Sequence, residues 1–137
     1  MATNDLNRQV MEEFRANAGR VGGNHEGRPL LLLTTTGRKT GRTHTTPVMY
    51  LADGDRYCVF ASKGGAPEHP AWYLNLVANP RVILEVGTER FEAQATVVGA
   101  DERDTLYRKQ ASLYTQFTDY ERKTTRTIPV VRLTRTN

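Results

Sequence analysis

The sequence predicts a mainly β domain, a small antiparallel barrel of about six strands covered by short helices. Two hairpins support this fold class, one turning at Asp53-Gly54 and one at Gly87-Thr88, because tight turns of this kind join antiparallel strands. The helical segments lie between the hairpins, without the strand–helix alternation that is typical of a parallel sheet. The 137 residues correspond to one domain.

Composition excludes several classes of protein. The net charge is +4, from 19 Lys and Arg against 15 Asp and Glu, a modest excess that suits an anionic partner. The single cysteine, Cys58, allows neither an intramolecular disulfide nor a Cys-x-x-Cys pair. The apolar runs, such as residues 30–33, are all far shorter than the roughly 20 residues that cross a membrane. Acidic residues near the N-terminus argue against a secretory signal, so we expect a cytoplasmic protein.

Residues 1–20 are predicted to form an N-terminal amphipathic helix, separate from a barrel domain over residues 28–137. Leu6, Val10 and Phe14 recur every four residues and form one narrow apolar stripe. The helix either packs on the domain or binds a partner or a membrane surface. Its polar face mixes acidic and basic side chains, so we expect no stable membrane insertion and at most weak peripheral association.

Strand-like segments begin after a glycine-rich loop. Six segments are predicted as strands, residues 30–35, 43–51, 56–61, 81–86, 90–98 and 127–133. Pro47 predicts an edge or a bulge in the second strand, because proline cannot donate a ladder hydrogen bond.

Three helices are predicted within the barrel domain. Residues 71–78 form a short helix that ends at Asn79-Pro80, because the residue before a proline disfavours helical geometry. Asp101 caps a longer helix that runs to about Tyr114. A last helical segment lies near residues 119–124.

Two loops combine cations with glycines. Residues 37–42, Gly-Arg-Lys-Thr-Gly-Arg, put three cations and two glycines in one turn, where the backbone can approach an anion that the cations neutralise. The spacing is not that of a phosphate-binding P-loop. Residues 61–67, Ala-Ser-Lys-Gly-Gly-Ala-Pro, put a cation between a hydroxyl group and two glycines. An ordinary solvated loop is the alternative interpretation in both cases.

Aromatic residues mark two further segments. Residues 69–76 bring the single tryptophan, Trp72, close to Asn75 on one helical turn. Tyr114, Phe117 and Tyr120 recur with a period of three, which suits either core packing or the wall of a binding pocket.

Metal and thiol chemistry are not expected. His25, His44 and His69 are scattered and form no zinc-binding spacing. Cys58 lies within a predicted strand, where a small buried residue is the more ordinary interpretation.

Together and in this order, these segments resemble the deazaflavin-dependent nitroreductase family. The similarity runs from about residue 31 to residue 133. Its most specific parts are GRKTG, then ASKGG, then HPxWYxNLxANP, with RTIPV at residues 126–130. The resemblance implies a split β-barrel related to FMN-binding barrels. It also implies an oxidoreductase that uses reduced coenzyme F420 to transfer a hydride to a quinone, an activated enone or a nitroaromatic compound.

The resemblance further implies where ligands bind. The anionic tail of the coenzyme would lie near Arg38, Lys39, Thr40 and Gly41, with assistance from Arg42. The ring and phosphate would be lined by Pro47, Ala61, Ser62, Lys63, Gly64 and Gly65. Trp72 and Asn75 would close the site.

The substrate pocket would be bordered by Tyr114, Phe117 and Tyr120. Tyr114 or Tyr120 would donate a hydrogen bond to the product. Some relatives carry three tyrosines at this spacing, so Phe117 departs from them and leaves no hydroxyl group at the middle position.

Other functions stay open at this point. A coenzyme F420 carrier without an acceptor of its own would share the scaffold, and an FMN-dependent oxidoreductase would share the fold. A nucleic-acid-binding barrel is disfavoured, because the aromatic residues lie on predicted helices and not on a strand platform. The sequence does not decide between a monomer and a homodimer, and it does not identify the acceptor.

Overall fold

Residues 2–23 and 27–136, which the computed structural model describes, contain six strands and four α-helices. The strands are β1 (Leu30–Thr36), β2 (Thr43–Asp53), β3 (Arg56–Phe60), β4 (Arg81–Val86), β5 (Glu89–Val97) and β6 (Val130–Arg135). The helices are α1 (Ala2–Ala16), α2 (Ala71–Ala78), α3 (Ala100–Leu113) and α4 (Gln116–Lys123), and a short 3-10 turn covers Lys63–Gly65.

The strands close into a barrel in the order β1-β2-β3-β6-β5-β4. Every pairing is antiparallel. Both predicted hairpins are present, with Asp53 opposite Arg56 and Val86 opposite Glu89. The predicted fold class is therefore confirmed.

Pro47 lies where β2 pairs with one neighbour only. It faces Leu32 of β1, whereas β3 pairs with β2 only over residues 50–53. The Tyr50 N–H donates to the Pro29 carbonyl at 3.1 Å, so alternate β2 residues direct their N–H groups toward β1. Position 47 would direct its missing N–H the other way, toward the unpaired side. The predicted edge position is correct, even though the barrel is closed.

Strand β1 is buried on both faces, which explains its unbroken apolar run. Leu31 and Leu33 pack inside the barrel. Leu30 and Leu32 pack outward, in a cluster that includes Phe14 of α1. Val10 and Phe14 of the predicted stripe therefore lie against the barrel wall, whereas Leu6 is exposed. No helix among residues 2–23 and 27–136 has both the length and the apolar character that crossing a membrane requires.

Helices α3 and α4 cover the outer face of β3 and β6. Phe60, Tyr107 and Phe117 contact one another edge to face, with ring centroids 5.7–6.1 Å apart. The Tyr107 hydroxyl donates to the Phe117 carbonyl at 2.7 Å, which joins the two helices. Cys58 is fully buried in this cluster, and burial raises the pKa of its thiol to about 11. The cysteine is a core residue, as predicted.

Several predicted boundaries are displaced. Helix α1 covers Ala2–Ala16 and ends before the predicted limit at residue 20. Helix α3 begins after Gly99, which has no side chain to cap the helix. Asp101 therefore lies inside the first turn and is not the cap. Helix α4 begins at Gln116, not near residue 119. The last strand begins at Val130, not at residue 127, because Pro129 has no N–H to extend the ladder.

Candidate functional site

An open cleft of about 630 Å³, here called the basic cleft, lies where the turn between β1 and β2 meets α1 and α2. The turn contributes Arg38, Lys39 and Thr40, and α2 contributes Trp72 and Asn75. The remaining wall comes from α1 and from hydroxyl-bearing residues at the start of β2. The cleft thus combines two cations with a polar lining.

The basic turn is closed by its own backbone. The Gly37 N–H donates to the Arg42 carbonyl at 2.7 Å, and the Gly41 N–H donates to the Gly37 carbonyl at 2.9 Å. The three residues between these glycines, Arg38, Lys39 and Thr40, are exposed. Within the described part of the chain, Arg38, Lys39 and Arg42 form no ion pair. Their charges are therefore available to an anionic ligand.

Asn75 links α2 to the basic turn. Its side chain is only 6% exposed. The side-chain oxygen accepts a hydrogen bond from the Arg38 N–H at 3.2 Å, and the side-chain nitrogen donates to Thr35 Oγ1 at 3.3 Å. This satisfies a buried amide, as expected for a polar group in a core. Asn75 thus holds the start of the turn against the helix.

A second open cleft of about 270 Å³, here called the apolar cleft, continues from the first. Its wall includes Pro47, Met49 and Phe60, with Phe117 and Tyr120 from α4. Thr46 and Trp72 line both clefts and form the boundary between them. A ligand that passes Trp72 would contact a cationic region on one side and an apolar region on the other.

The loop over residues 61–69, here called the lysine loop, borders the apolar cleft through Ser62, Lys63 and Gly64. Lys63, Gly64 and Gly65 all have positive φ, at 48°, 63° and 85°. A Cβ on Gly64 would meet nothing within 4 Å, so its backbone is open to the cleft. A Cβ on Gly65 would lie 2.9 Å from the Tyr120 carbonyl oxygen and from Lys123 Cβ, so α4 blocks that side. The Lys63 ammonium pairs with Glu68 at 3.0 Å.

Arg126 binds the lysine loop from the segment that follows α4. Its guanidinium donates to the carbonyl oxygens of Ala61, Ser62 and Ala66 at 2.9–3.1 Å. It also contacts His69 Nδ1 at 3.0 Å. Burial lowers the pKa of His69, and the charge of Arg126 lowers it further.

The structure brings most of the predicted binding residues to these two clefts. Those that line one or both clefts are Arg38, Lys39, Thr40, Pro47, Ser62, Lys63, Gly64, Trp72 and Asn75. Gly41 and Arg42 belong to the basic turn without lining either cleft. Ala61 and Gly65 are buried within the lysine loop and line neither cleft.

The three predicted pocket aromatics are in different environments. Tyr120 lines the apolar cleft and is half-buried. Phe117 borders the same cleft, but its ring is mostly buried against Phe60 and Tyr107. Tyr114 follows the end of α3 and packs on the neighbouring core cluster without lining either cleft. Of Tyr114 and Tyr120, only Tyr120 lines a cleft.

No group of three or more potential metal-binding side chains occurs among residues 2–23 and 27–136. His44 lies on the wall of the basic cleft, and His69 lies against Arg126. His25 falls outside the described residues.

Several residues beside the clefts were not identified as site residues from the sequence. Asn7 and Met11 of α1 line the basic cleft, and Arg126 holds the lysine loop. The Arg126 partners lie 57–65 residues earlier in the chain, so no local spacing points to them. The amphipathic pattern of α1 predicted that the helix packs on the domain, but it did not identify the surface that the helix covers.

The comparisons with known proteins agree with one another. A family model described as F420H(2)-dependent quinone reductase matches residues 6–135. An F420H(2)-dependent quinone reductase of Mycobacterium tuberculosis is 43% identical over 128 residues, which cover 89% of this chain and 85% of the relative.

Solved structures give the same result. A structure of an F420-H2 dependent reductase (FDR-A) is 36% identical, with a TM-score of 0.70, covering 77% of this chain and 94% of that one. A structure described as a domain-swapped dimer is 31% identical, with a TM-score of 0.72, covering 97% and 99%. HutZ, the heme storage protein of Vibrio cholerae, is 18% identical with a TM-score of 0.62 and shares the fold.

Proposed function

Because the chain belongs to the F420H(2)-dependent quinone reductase family, we propose that it is an oxidoreductase that uses coenzyme F420 to reduce a quinone. Activated enones and nitroaromatic compounds are further acceptors of the same electronic character. The observation that carries the proposal is the continuity of the basic and apolar clefts at Thr46 and Trp72. One ligand with an anionic tail and a flat ring would occupy both.

The residues present fit such a coenzyme. We assign the anionic tail to Arg38, Lys39 and Thr40 of the basic turn, whose cations form no ion pair with residues 2–23 and 27–136. We assign the ring side to Pro47, Trp72 and the lysine loop. Gly64 supports this assignment, because its backbone faces the cleft with free space where a Cβ would stand.

Charge alone does not account for useful affinity. Micromolar binding requires about 8 kcal/mol. Exposed ion pairs contribute roughly 0–1 kcal/mol each, and charge-assisted hydrogen bonds about 1.5–3 kcal/mol. Arg38, Lys39 and Lys63 therefore leave a shortfall once the ordering of the ligand is included. Burial of the ring against Trp72 and Pro47 would supply the remainder, which is why both clefts are needed.

When bound in its reduced form, the deazaflavin supplies the hydride, from its C5 carbon. The task of the chain would be to hold the reacting atom of the acceptor about 3–3.5 Å from the atom that donates the hydride. Met49, Phe60 and Phe117 give the acceptor an apolar wall and exclude water. The Tyr120 hydroxyl is the group we assign to donate a hydrogen bond to the developing oxygen of the product. Tyr114, the other predicted donor, lines neither cleft.

A fluorescence titration tests the proposal. Trp72 is the only tryptophan and lies at the boundary between the clefts, so its emission reports binding directly. Tight binding of coenzyme F420 with weak binding of FMN is expected. Preference for FMN would contradict the tail assignment. Turnover of a menadione-like quinone by the reduced coenzyme then separates a reductase from a coenzyme carrier. Filter binding with a nucleic acid at physiological salt serves as a control and should be negative.

We also propose a homodimer as the assembly state. The support is the 31% identical neighbour that is described as a domain-swapped dimer and that covers 97% of this chain. Light scattering during size-exclusion chromatography would give twice the mass of the chain, and a single-chain mass at all concentrations would contradict the proposal. A cytoplasmic location stays a prediction.

A further inference from the structure

The guanidinium group of Arg126 forms hydrogen bonds with four residues of the lysine loop. Nε donates to the Ala66 carbonyl at 3.0 Å. One terminal nitrogen donates to the Ala61 and Ser62 carbonyls at 3.1 and 2.9 Å, and the other contacts His69 Nδ1 at 3.0 Å. A planar guanidinium offers five donors in a fixed arrangement, which a lysine ammonium cannot reproduce.

The residues between these four points have a conformation that needs support. Lys63 has a φ of 48°, in the left-handed region that L-residues rarely adopt, at a cost of order 1–3 kcal/mol. Gly64 and Gly65 continue this backbone with φ of 63° and 85°. Helix α4 lies against Gly65, so the loop is fixed from two sides, by Arg126 at its ends and by α4 at its centre.

The contact between Arg126 and His69 depends on the protonation state of His69. His69 Nδ1 accepts the hydrogen bond only when it carries no proton, and its pKa is lowered by burial and by Arg126. The neighbouring ionisable groups are Lys63 and Glu68 on the loop, Tyr73 of α2, whose ring lies 4.8 Å from that of His69, and Lys123 of α4. A neutral His69 therefore completes the set of acceptors around Arg126.

We propose that Arg126 is the positioning residue of the coenzyme site. It fixes the backbone on which Lys63 and Gly64 face the apolar cleft, without contacting the ligand itself. The identity of the ligand rests on the proposed function, whereas the restraint on the loop does not.

The test compares Arg126→Lys with Arg103→Lys in the full chain. Arg103 is a suitable control, because it is also largely buried, donates to a backbone carbonyl, that of Ile128, at 2.8 Å, and lies over the Tyr107 ring. It also binds Glu121 of α4 at 3.0 Å, and none of its hydrogen bonds to the described residues reaches the lysine loop. Both variants keep the charge and lose the guanidinium.

The first measurement needs no coenzyme. Limited trypsin digestion followed by mass spectrometry gives the rate of cleavage after Lys63. We expect this rate to rise about tenfold in Arg126→Lys, which corresponds to about 1.4 kcal/mol for opening of the loop, and to stay within about twofold of the wild type in Arg103→Lys. Equal rates in the wild type and Arg126→Lys, or an equal rise in both variants, would overturn the proposal.

The second measurement is the affinity for coenzyme F420, with melting temperatures recorded in parallel. We expect the dissociation constant and the KM for the reduced coenzyme to rise about tenfold in Arg126→Lys, with kcat within about twofold. Arg103→Lys should lower the melting temperature without changing the affinity. Unchanged affinity in Arg126→Lys would overturn the positioning role. Absence of binding by the wild type would instead refute the proposed function, and the trypsin rates would still decide the role of Arg126 in the loop.

Discussion

Asn75 and Arg38 lie 37 residues apart and are joined by a hydrogen bond of 3.2 Å from the Arg38 N–H to the Asn75 side-chain oxygen. The same amide donates to Thr35 Oγ1 at 3.3 Å. Helix α2 and the basic turn therefore form one unit, in which Trp72 of the helix and Lys39 of the turn face a common cleft. The resemblance assigned Asn75 to closing the site, which stays a prediction, and its hydrogen bonds hold the turn against the helix.

Replacing Asn75 with leucine should loosen this unit. The change leaves the Arg38 N–H and the Thr35 hydroxyl without their buried partner, so we expect a loss of about 1–3 kcal/mol in the free energy of unfolding. Coenzyme affinity should also fall. Urea denaturation and the fluorescence titration measure the two effects. Asn79→Ala, at an exposed position of the same helix end, should change neither, and a neutral Asn75→Leu would refute the link between helix and turn.

Lys39→Ala and Lys63→Ala should each weaken coenzyme binding and reduce its dependence on salt, because each removes a cation that faces a cleft. Glu68→Gln is the informative counterpart. It frees Lys63 from its ion pair, so affinity should rise if Lys63 binds the ligand. Titrations at two ionic strengths check all three variants. Unchanged affinity in both lysine variants would contradict the tail and phosphate assignments.

Gly64→Ala should mainly weaken coenzyme binding, whereas Gly65→Ala should mainly lower the stability of the fold. Both glycines have positive φ, so each change costs about 1 kcal/mol through the backbone alone. At Gly65 the new methyl group would also clash with α4, and we expect a total loss of about 2–4 kcal/mol.

At Gly64 there is free space, so stability should fall only slightly while the methyl group enters the apolar cleft and weakens coenzyme binding. Melting temperatures and titrations of the two variants test this contrast. Equal stability losses would show that α4 does not confine Gly65.

Met11→Ala should weaken ligand binding from the side of α1. The Met11 side chain lines the basic cleft beside the cationic turn, so its removal opens that wall to water. We expect a severalfold rise in the dissociation constant for coenzyme F420. Leu6→Ala, on the same helix but 62% exposed, is the matched control and should bind as the wild type does. The same result for both variants would mean that α1 only covers the barrel.

Acid should slightly weaken the attachment of α1 to the barrel. Arg15 of α1 binds Glu85 of β4 through two hydrogen bonds of 2.8 and 2.9 Å. The hydrogen bond from Arg15 lowers the pKa of Glu85. This contribution to stability is therefore present above the ordinary pKa of a glutamate and is lost as pH falls through the lowered value.

The partly exposed pair should contribute at most about 1 kcal/mol. Arg15→Gln should thus melt slightly below the wild type at pH 7, and the difference should shrink below about pH 4. Calorimetry over this pH range measures it. A difference that stays constant with pH would show that the ion pair does not stabilise the helix.

Local sequence signals were sufficient to predict which segments form strands and which form helices. Asp53-Gly54 and Gly87-Thr88 turn two hairpins, and the helix ends at Asn79-Pro80, because such signals act within a few residues. The boundaries that failed depend on neighbours. Asp101 does not cap α3, and Pro129 delays the last strand. The composition of the two loops likewise pointed to cleft-lining residues such as Lys39 and Lys63.

Sequence alone therefore determined an antiparallel barrel, its family and the residue types that a polyanionic coenzyme requires. Tertiary structure decided which of those residues line a cleft: it buries Gly65 against α4, leaves Tyr114 outside the clefts and brings Met11 to the basic cleft. It also decided what holds the site together, through Asn75 and Arg126. The physical reason is distance along the chain, because these contacts join residues 37–65 positions apart and no local periodicity encodes them.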